Sequence, residues 1–497
     1  MSAAAAGAAP RRVVVVGAGL SGLSAAWALA RPRPGGEPPA EVVVLEASAR
    51  AGGLVGTDAR DGFLVEHGAD GFLSEKVAAV ELAEALGVGG RLVRTLPSRQ
   101  GAWVVRRGAL RPIPPGFSLV APSRLRPLLT TRVLSLRGKA RAALDLVLPR
   151  GPARDDESLA SFVRRRFGDE MLAALAQPLA GGIYNADPER LSMRATVPRF
   201  LDEEQRSRSV ILGLRRRALS AGGAEAARGA RYGLFASFDR GMGVLTDALA
   251  AALPPGALRL GERALAVEPR GEGRAAVVTD AGRYEADAVV LALPAWAQRD
   301  LLAPVDATLA DLLGALAHGS AATVTFGFAA EAFARPLQGY GFVVPAAEAR
   351  ASIAATFASR KWPGRAPRGR ELVRVFLGGP ASPPLDRAGD AELVASALGE
   401  LKALLGARLA PDFAQVRRYA RAMPHYYVGH VDRARTIEAR AARHPWLRLA
   451  GNGLRGVGIP DAIASGLRAA DSLLGRGAGA AGAEAGRAAD DVLGPAG

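Results

Sequence analysis

The sequence predicts an α/β chain, α+β in its added parts: a Rossmann-like parallel-sheet domain that carries a strand-rich domain and a helical domain. Three observations predict it. Residues 13–16, four valines, run straight into Gly17-Ala18-Gly19-Leu20-Ser21-Gly22 and then a helical pattern. A second apolar strand at 41–45 ends on Glu46. At the far end of the chain, a strand at 447–449 leads to another glycine-rich turn and a helix that starts near Val457-Gly458-Ile459.

Each element has a physical reason. An unbroken β-branched run suits a parallel strand buried on both faces. In the turn after it, Gly17 allows the tight reversal, Gly19 lets the backbone approach a pyrophosphate, and Gly22 lets helix and strand pack closely. The helix N-terminus then offers free N–H groups and a positive dipole end to the phosphates. Glu46 can accept hydrogen bonds from both hydroxyls of an adenine ribose. It lies slightly late in the chain because residues 32–39 read as a loop inserted after the first helix. Arg50 and the pair Gly52-Gly53 extend the dinucleotide site. Arg11-Arg12 before eighteen uncharged residues imitates a twin-arginine signal peptide, but the glycines in fingerprint positions make this segment the first strand and helix.

The middle of the chain alternates in character. Residues 103–110 read as a hairpin arm. From 122 to 182 the pattern is helical and arginine-rich; its basic faces suit either a membrane surface or plain solvation. A helix opened by 241–245 and running to 253 and a strand at 285–294 return to the grammar of the nucleotide domain, and residues 320–430 are strand-rich, fit to roof a pocket. The expected domains are therefore 11–96 with 235–300 and 440–474 for nucleotide binding, 97–121 with 301–439 for substrate, and 122–234 helical. Residues 475–497 read as a disordered Gly/Ala tail.

Composition sets limits. The 497 residues suffice for two or three domains. There is no cysteine, which removes disulfides and thiol chemistry, and the five histidines show no metal-ligand spacing, so no metal is expected. The net charge of +16 would permit nucleic acid, anionic lipid or acidic substrates, but no nucleic-acid motif is present and aromatics are only 5%, so no nucleic-acid partner is expected. No other uncharged run approaches a membrane span. Two strand–turn–helix units at opposite chain ends call for a long cofactor. FAD fits, its ADP half on the first unit and its ring at the N-terminus of the last helix, whose dipole favours negative charge near N1.

With these motifs in place, the chain from about residue 12 to 474 resembles the oxygen-using, FAD-dependent protoporphyrinogen oxidases. The glycine fingerprint and the run from Glu46 to Gly53 are shared with the wider amine-oxidase-like flavoproteins. More specific are the stretches 177–188, 339–345, 362–367, 424–430 and 458–461, in that order. The resemblance implies a p-cresol-methylhydroxylase-like FAD fold. It places FAD contacts on Gly17, Gly19, Leu20, Ser21 and Gly22, on Glu46, Ala47, Arg50 and Gly53, and on Gly68, Ala69, Asp70 and Gly71. Ala264 would meet the adenine through its backbone, Val457, Gly458 and Ile459 the ring, and Tyr419 stands where the family has a flavin-side Trp. A porphyrin clamp falls on Tyr340 and Val343, with pocket walls at Thr356 and Phe376; ordinary sheet core is the other reading of these four. Eukaryotic relatives carry an Arg for a substrate propionate where this chain has Ala102, which leaves Arg99, Arg106 or diffuse positive potential for that role.

The implied activity is oxidation of protoporphyrinogen IX to protoporphyrin IX in three two-electron steps, with non-covalent FAD, O2 as acceptor and no assigned catalytic side chain. The alternatives are coproporphyrinogen III oxidation on the same fold, amine or carotenoid oxidation, and a non-catalytic basic lipid- or nucleic-acid-binding protein. A cytoplasmic location follows, either free or peripheral at a membrane surface, with a homodimer left open.

Overall fold

In the computed structural model, residues 12–32, 39–97, 101–152, 155–217 and 235–475 are described. The inserted loop after the first helix lies mostly outside them, as do Arg99, residues 218–234 and the Gly/Ala tail.

The valine run forms strand Arg12–Val16 at the centre of a five-stranded sheet whose neighbours are all parallel. Its order is Leu258–Leu260, Glu41–Glu46, Arg12–Val16, Ala288–Leu291, Leu447–Leu449. Both faces are covered, which is why four consecutive apolar residues are tolerated. Val13 and Val15 pack with helices Leu20–Leu29, Gly243–Ala251 and Ile459–Leu473. Val14 and Val16 pack on the other side, with the small antiparallel sheet of Ala264–Arg270, Arg274–Thr279 and Arg283–Ala286 and with flanking helices.

The apolar run at 285–294 is two strands, not one. It divides at Asp287, whose carboxylate accepts the Arg12 N–H at 2.9 Å. Arg283–Ala286 closes the small antiparallel sheet, and Ala288–Leu291 enters the parallel one. The chain changes sheets between two apolar stretches, and hydrophobicity alone does not mark that corner.

The strand-rich region is a seven-stranded sheet ordered Phe413–Pro424, His318–Ala329, Arg370–Leu377, Ser352–Phe357, Gly341–Val343, Trp103–Arg106, Ala109–Pro112. The hairpin expected at 103–110 is its edge. One face, with Val324, Phe326, Val373, Val375 and Phe342, is closed by helix Asp390–Leu405 through Leu393, Ala397 and Leu401. Residues 122–217 are helical and have their own core, including Phe162, Phe167, Leu175 and Phe200. Arginines of helix Leu159–Phe167 turn inward: Arg166 Nε donates to Asp145 at 2.7 Å, and Arg165 Nη1 to Glu204 at 2.5 Å. The basic face read from this part of the sequence is therefore partly core. A π-helical turn, Leu172–Ala176, leads into Gln177–Tyr184, where Pro178 lacks the N–H an α-helix would use.

Candidate flavin and substrate site

The first glycine turn has the geometry that its spacing predicts. Gly17 has φ +100°, a conformation open to glycine, and a Cβ on Gly22 would stand 1.8 Å from the Gly17 carbonyl oxygen. Gly19 caps helix Leu20–Leu29 without any side-chain bond to the helix N–H groups, and a Cβ there would meet nothing within 4 Å. An uncapped, open helix end with no side chain in front of it fits a pyrophosphate.

Glu46 closes the next corner. Its Oε2 accepts the Ala18 N–H at 2.9 Å, and its Oε1 accepts the Ser48 N–H at 2.9 Å and the Ser48 hydroxyl at 2.8 Å. The carboxylate is thus fixed at the turn, with lone pairs left for a ribose. Glu262 N–H donates to the Glu46 carbonyl, which brings the strand beginning at Ala264 to the same corner; Ala47 is exposed there. Arg50 shapes the Gly52-Gly53 loop that follows it: its guanidinium donates to the carbonyls of Ala51, Val55 and Gly53. That loop lies against the first turn: Gly52 N–H donates to Ala18 O, and a Gly53 Cβ would be 3.2 Å from Gly19 Cα.

The two nucleotide units at the chain ends meet directly. Helices Leu20–Leu29 and Ile459–Leu473 cross so closely that a Cβ on Gly466 would lie 2.0 Å from Ser21 O, and Ser21 Oγ donates to Ala462 O at 2.7 Å. Val457, Gly458 and Ile459 form the entry to the second helix.

The 66–71 loop is held from the seven-stranded sheet. Tyr419 OH donates to His67 O, and Arg374 donates to the carbonyls of Gly68 and Glu66. Lys361 Nζ pairs with Asp70 at 2.9 Å. Trp362 lies beneath Gly71, where a Cβ would be 2.5 Å from the indole. Arg365, fully buried, donates to Ser237 Oγ at 2.7 Å and faces Glu66 at 3.3 Å. Burial pushes the Asp70 carboxyl up, but Lys361 and Arg374 outweigh it and hold the group below its ordinary value. Burial likewise opposes ionisation of Asp58, and His67, Gln415 and Arg417 overcome it. The roles of Lys361, Arg365 and Arg374 escaped sequence reasoning. The 362–367 stretch was singled out there, yet nothing local says that it supports a loop some 300 residues earlier.

Register assigns three of the residues expected to line a pocket to one face. Val343 pairs with Ala354, Thr356 with Arg374, and Phe376 with Thr323, so these lie on the sheet face opposite the Phe326 core, together with Arg417 and Tyr419. This is the face wired to the 66–71 loop. Val343 also approaches Gly182 of the helical region at 3.8 Å from an ideal Cβ there. Tyr340 immediately precedes the strand Gly341–Val343, and its hydroxyl donates to Leu96 O at 3.0 Å. Arg106 is committed as well: it pairs with Glu170 at 2.9 Å, and Glu170 also accepts the Ser135 N–H and hydroxyl. Arg99 lies outside the described residues.

A family model for flavin-containing amine oxidoreductases matches residues 20–474. The chain belongs to that family. Within it, the similarity is to porphyrinogen oxidases. The coproporphyrinogen III oxidase of Propionibacterium freudenreichii is 35% identical, across 93% of this chain and 90% of that protein. The enzyme of the same name from Bacillus subtilis is 31% identical over 93% and 98%. Chloroplastic protoporphyrinogen oxidase of Nicotiana tabacum is 28% identical over 93% and 85%. A crystal structure from Exiguobacterium sp. 255-15, itself provisionally named a protoporphyrinogen oxidase, superposes with a TM-score of 0.81 at 32% identity, covering 93% of this chain and 98% of that one. The family implies a flavin, and the two linked nucleotide turns fit its FAD form.

Proposed function

We propose that this flavoprotein oxidises coproporphyrinogen III to coproporphyrin III, with non-covalently bound FAD and O2 as acceptor. The observation that supports the choice of substrate is kinship: bacterial relatives of that name are 29–35% identical across 93% of the chain, and plant protoporphyrinogen oxidases 28–30% across 90–93%. This reverses the order of the sequence reading, which put protoporphyrinogen IX first. Ala102 does not choose between the two, since the eukaryotic propionate Arg is missing there and Arg106 is tied to Glu170. Protoporphyrinogen IX is the second reading, favoured by the shared 177–188 and 339–345 stretches.

Bound FAD would supply the two-electron acceptor: each of three rounds takes one hydride and one proton from the macrocycle, six electrons in all, balanced by reduction of three O2 to three H2O2. The chain's own part is position and exclusion of water. Val343, Thr356 and Phe376 offer an apolar to weakly polar face for a flat ring system. Gly182 packs against Val343 at one edge of that face, where a Cβ on the glycine would stand 3.8 Å from the Val343 side chain. The 66–71 loop, braced by Lys361, Trp362 and Arg374, keeps the redox partner in register with that face. With no cysteine in the chain, thiol tethering of flavin is ruled out by chemistry.

Turnover of the two porphyrinogens, side by side on the FAD-loaded protein and followed by porphyrin fluorescence, tests the assignment. Higher kcat/KM for coproporphyrinogen III is expected; preference for protoporphyrinogen IX would restore the second reading. The proposal includes a peripheral contact with an anionic membrane surface.

A further inference from the structure

The last helix carries a charge arrangement that its dipole alone does not explain. Asp461 sits in the first turn of Ile459–Leu473 and accepts the Gly458 N–H at 3.1 Å. A full negative charge there exceeds the roughly half unit of positive charge that a helix N-terminus supplies. On its own it would leave this end negative toward the flavin. Lys76 answers it: Nζ reaches the two Asp461 oxygens at 2.7 and 2.9 Å. The pair is about three-quarters buried, 26% and 20% exposed, so water screens it only in part.

Its place in the chain gives the pair a meaning. Lys76 closely follows the 68–71 loop, expected to contact FAD, and Asp461 follows 457–459, expected to meet the flavin ring. The carboxylate is also held tightly, since a Cβ on Gly456 (φ +84°) would lie 2.3 Å from Asp461 Cγ. Two phenols feel it: Tyr184 and Tyr426 are raised first by burial and next by the Asp461 charge.

We propose that Lys76 is a potential-setting residue: by neutralising Asp461 it keeps the helix N-terminus positive and so stabilises the negative charge that two-electron reduction places on the flavin. The inference rests on the FAD reading above. Lys76 acts through Asp461 and is a positioning residue in the electrostatic sense.

The test is the two-electron midpoint potential of the flavin-loaded protein, measured by reductive titration against reference dyes. Lys76→Gln should lower the potential, and Asp461→Asn should raise it, each by about a tenfold change in the oxidised-to-reduced ratio, ~30 mV for a two-electron couple. The double variant should return close to the parent value, and Lys76→Arg should keep it. A pair that only clamps two segments would move melting temperature for both single variants and give no shifts of opposite sign in potential. Unchanged potentials, or shifts in the same direction, would overturn the proposal. A chain that takes up no FAD would instead defeat the cofactor reading, a distinct outcome visible before any titration.

Discussion

Glu46 shows how one side chain can serve fold and ligand together. It anchors Ala18 and Ser48 at the turn and keeps acceptor capacity for a ribose. Glu46→Ala should weaken FAD binding by about 1.5–3 kcal/mol, the scale of hydrogen bonds to a charged group. Equilibrium dialysis of the apoprotein with FAD would read this as a roughly 10- to 150-fold rise in Kd. Asp306 is a second telling residue, remote from the site. Hydrogen bonds from Arg440, then His444 and the Leu309 N–H, hold its carboxyl well below the ordinary range. The folded value is depressed, so its contribution to stability is present above the unfolded pKa of about 3.9 and fades as pH falls below it. Asp306→Asn should therefore lower Tm clearly at pH 7, and the gap to the parent protein should narrow in melts at progressively lower pH under 4.

At the scale of elements, the crossing of helices Leu20–Leu29 and Ile459–Leu473 joins the two ends of the nucleotide site. Gly466→Ala would drive a methyl group into the Ser21 carbonyl at 2.0 Å. Backbone cannot swing aside like a side chain, so overpacking should cost about 1–3 kcal/mol and loosen flavin retention at the same time. Urea denaturation and the flavin-to-protein absorbance ratio check both. In the helical region, Arg166 is 2% exposed and Asp145 is fully buried. Asp145→Ala would take from buried Arg166 its nearer carboxylate, leaving Glu204 at 3.3 Å, and from the Ser209 hydroxyl and Ile211 N–H their acceptor, a loss of about 3–5 kcal/mol in urea denaturation. Arg166→Met with Asp145→Leu should recover only the ionic part, because Ser209 and Ile211 still lack that acceptor.

At the scale of the molecule, the surface between residues 124 and 150 differs from the rest. Leu136 is 82% exposed and Val147 65%, with Leu129 and Leu144 close by in sequence. Arg124, Arg126, Arg132, Arg137 and Arg150 are exposed among them, while the one acidic residue of the stretch, Asp145, faces inward to Arg166. Exposed apolar side chains within a one-sign field suit an anionic lipid surface. No described helix is long and apolar enough to cross a membrane, so the contact would be peripheral. Sedimentation with vesicles containing anionic lipid should show weak binding that salt reverses, and Leu136→Asp with Val147→Asp should abolish it without loss of porphyrinogen turnover. Equal binding to neutral vesicles would count against this reading.

Local pattern carried much of this protein. Residues 13–22 and 41–46 encode strand, turn and helix because β-branched runs, glycine at positive φ and a strand-end carboxylate each have a short-range reason to be where they are. The edge hairpin, the helical middle and the last glycine turn were readable on the same grounds. What the tertiary structure alone decided involves partners far apart in the chain. It split residues 285–294 between two sheets, turned Arg165 and Arg166 inward, tied Arg106 to Glu170 and bound the Tyr340 hydroxyl to Leu96 O. It also braced the 66–71 loop with Lys361, Trp362 and Arg374, and set Lys76 against Asp461 across 385 residues. A charged side chain looks alike in sequence whether it faces water, substrate or another charge, and only the folded arrangement of its neighbours determines which of these it meets.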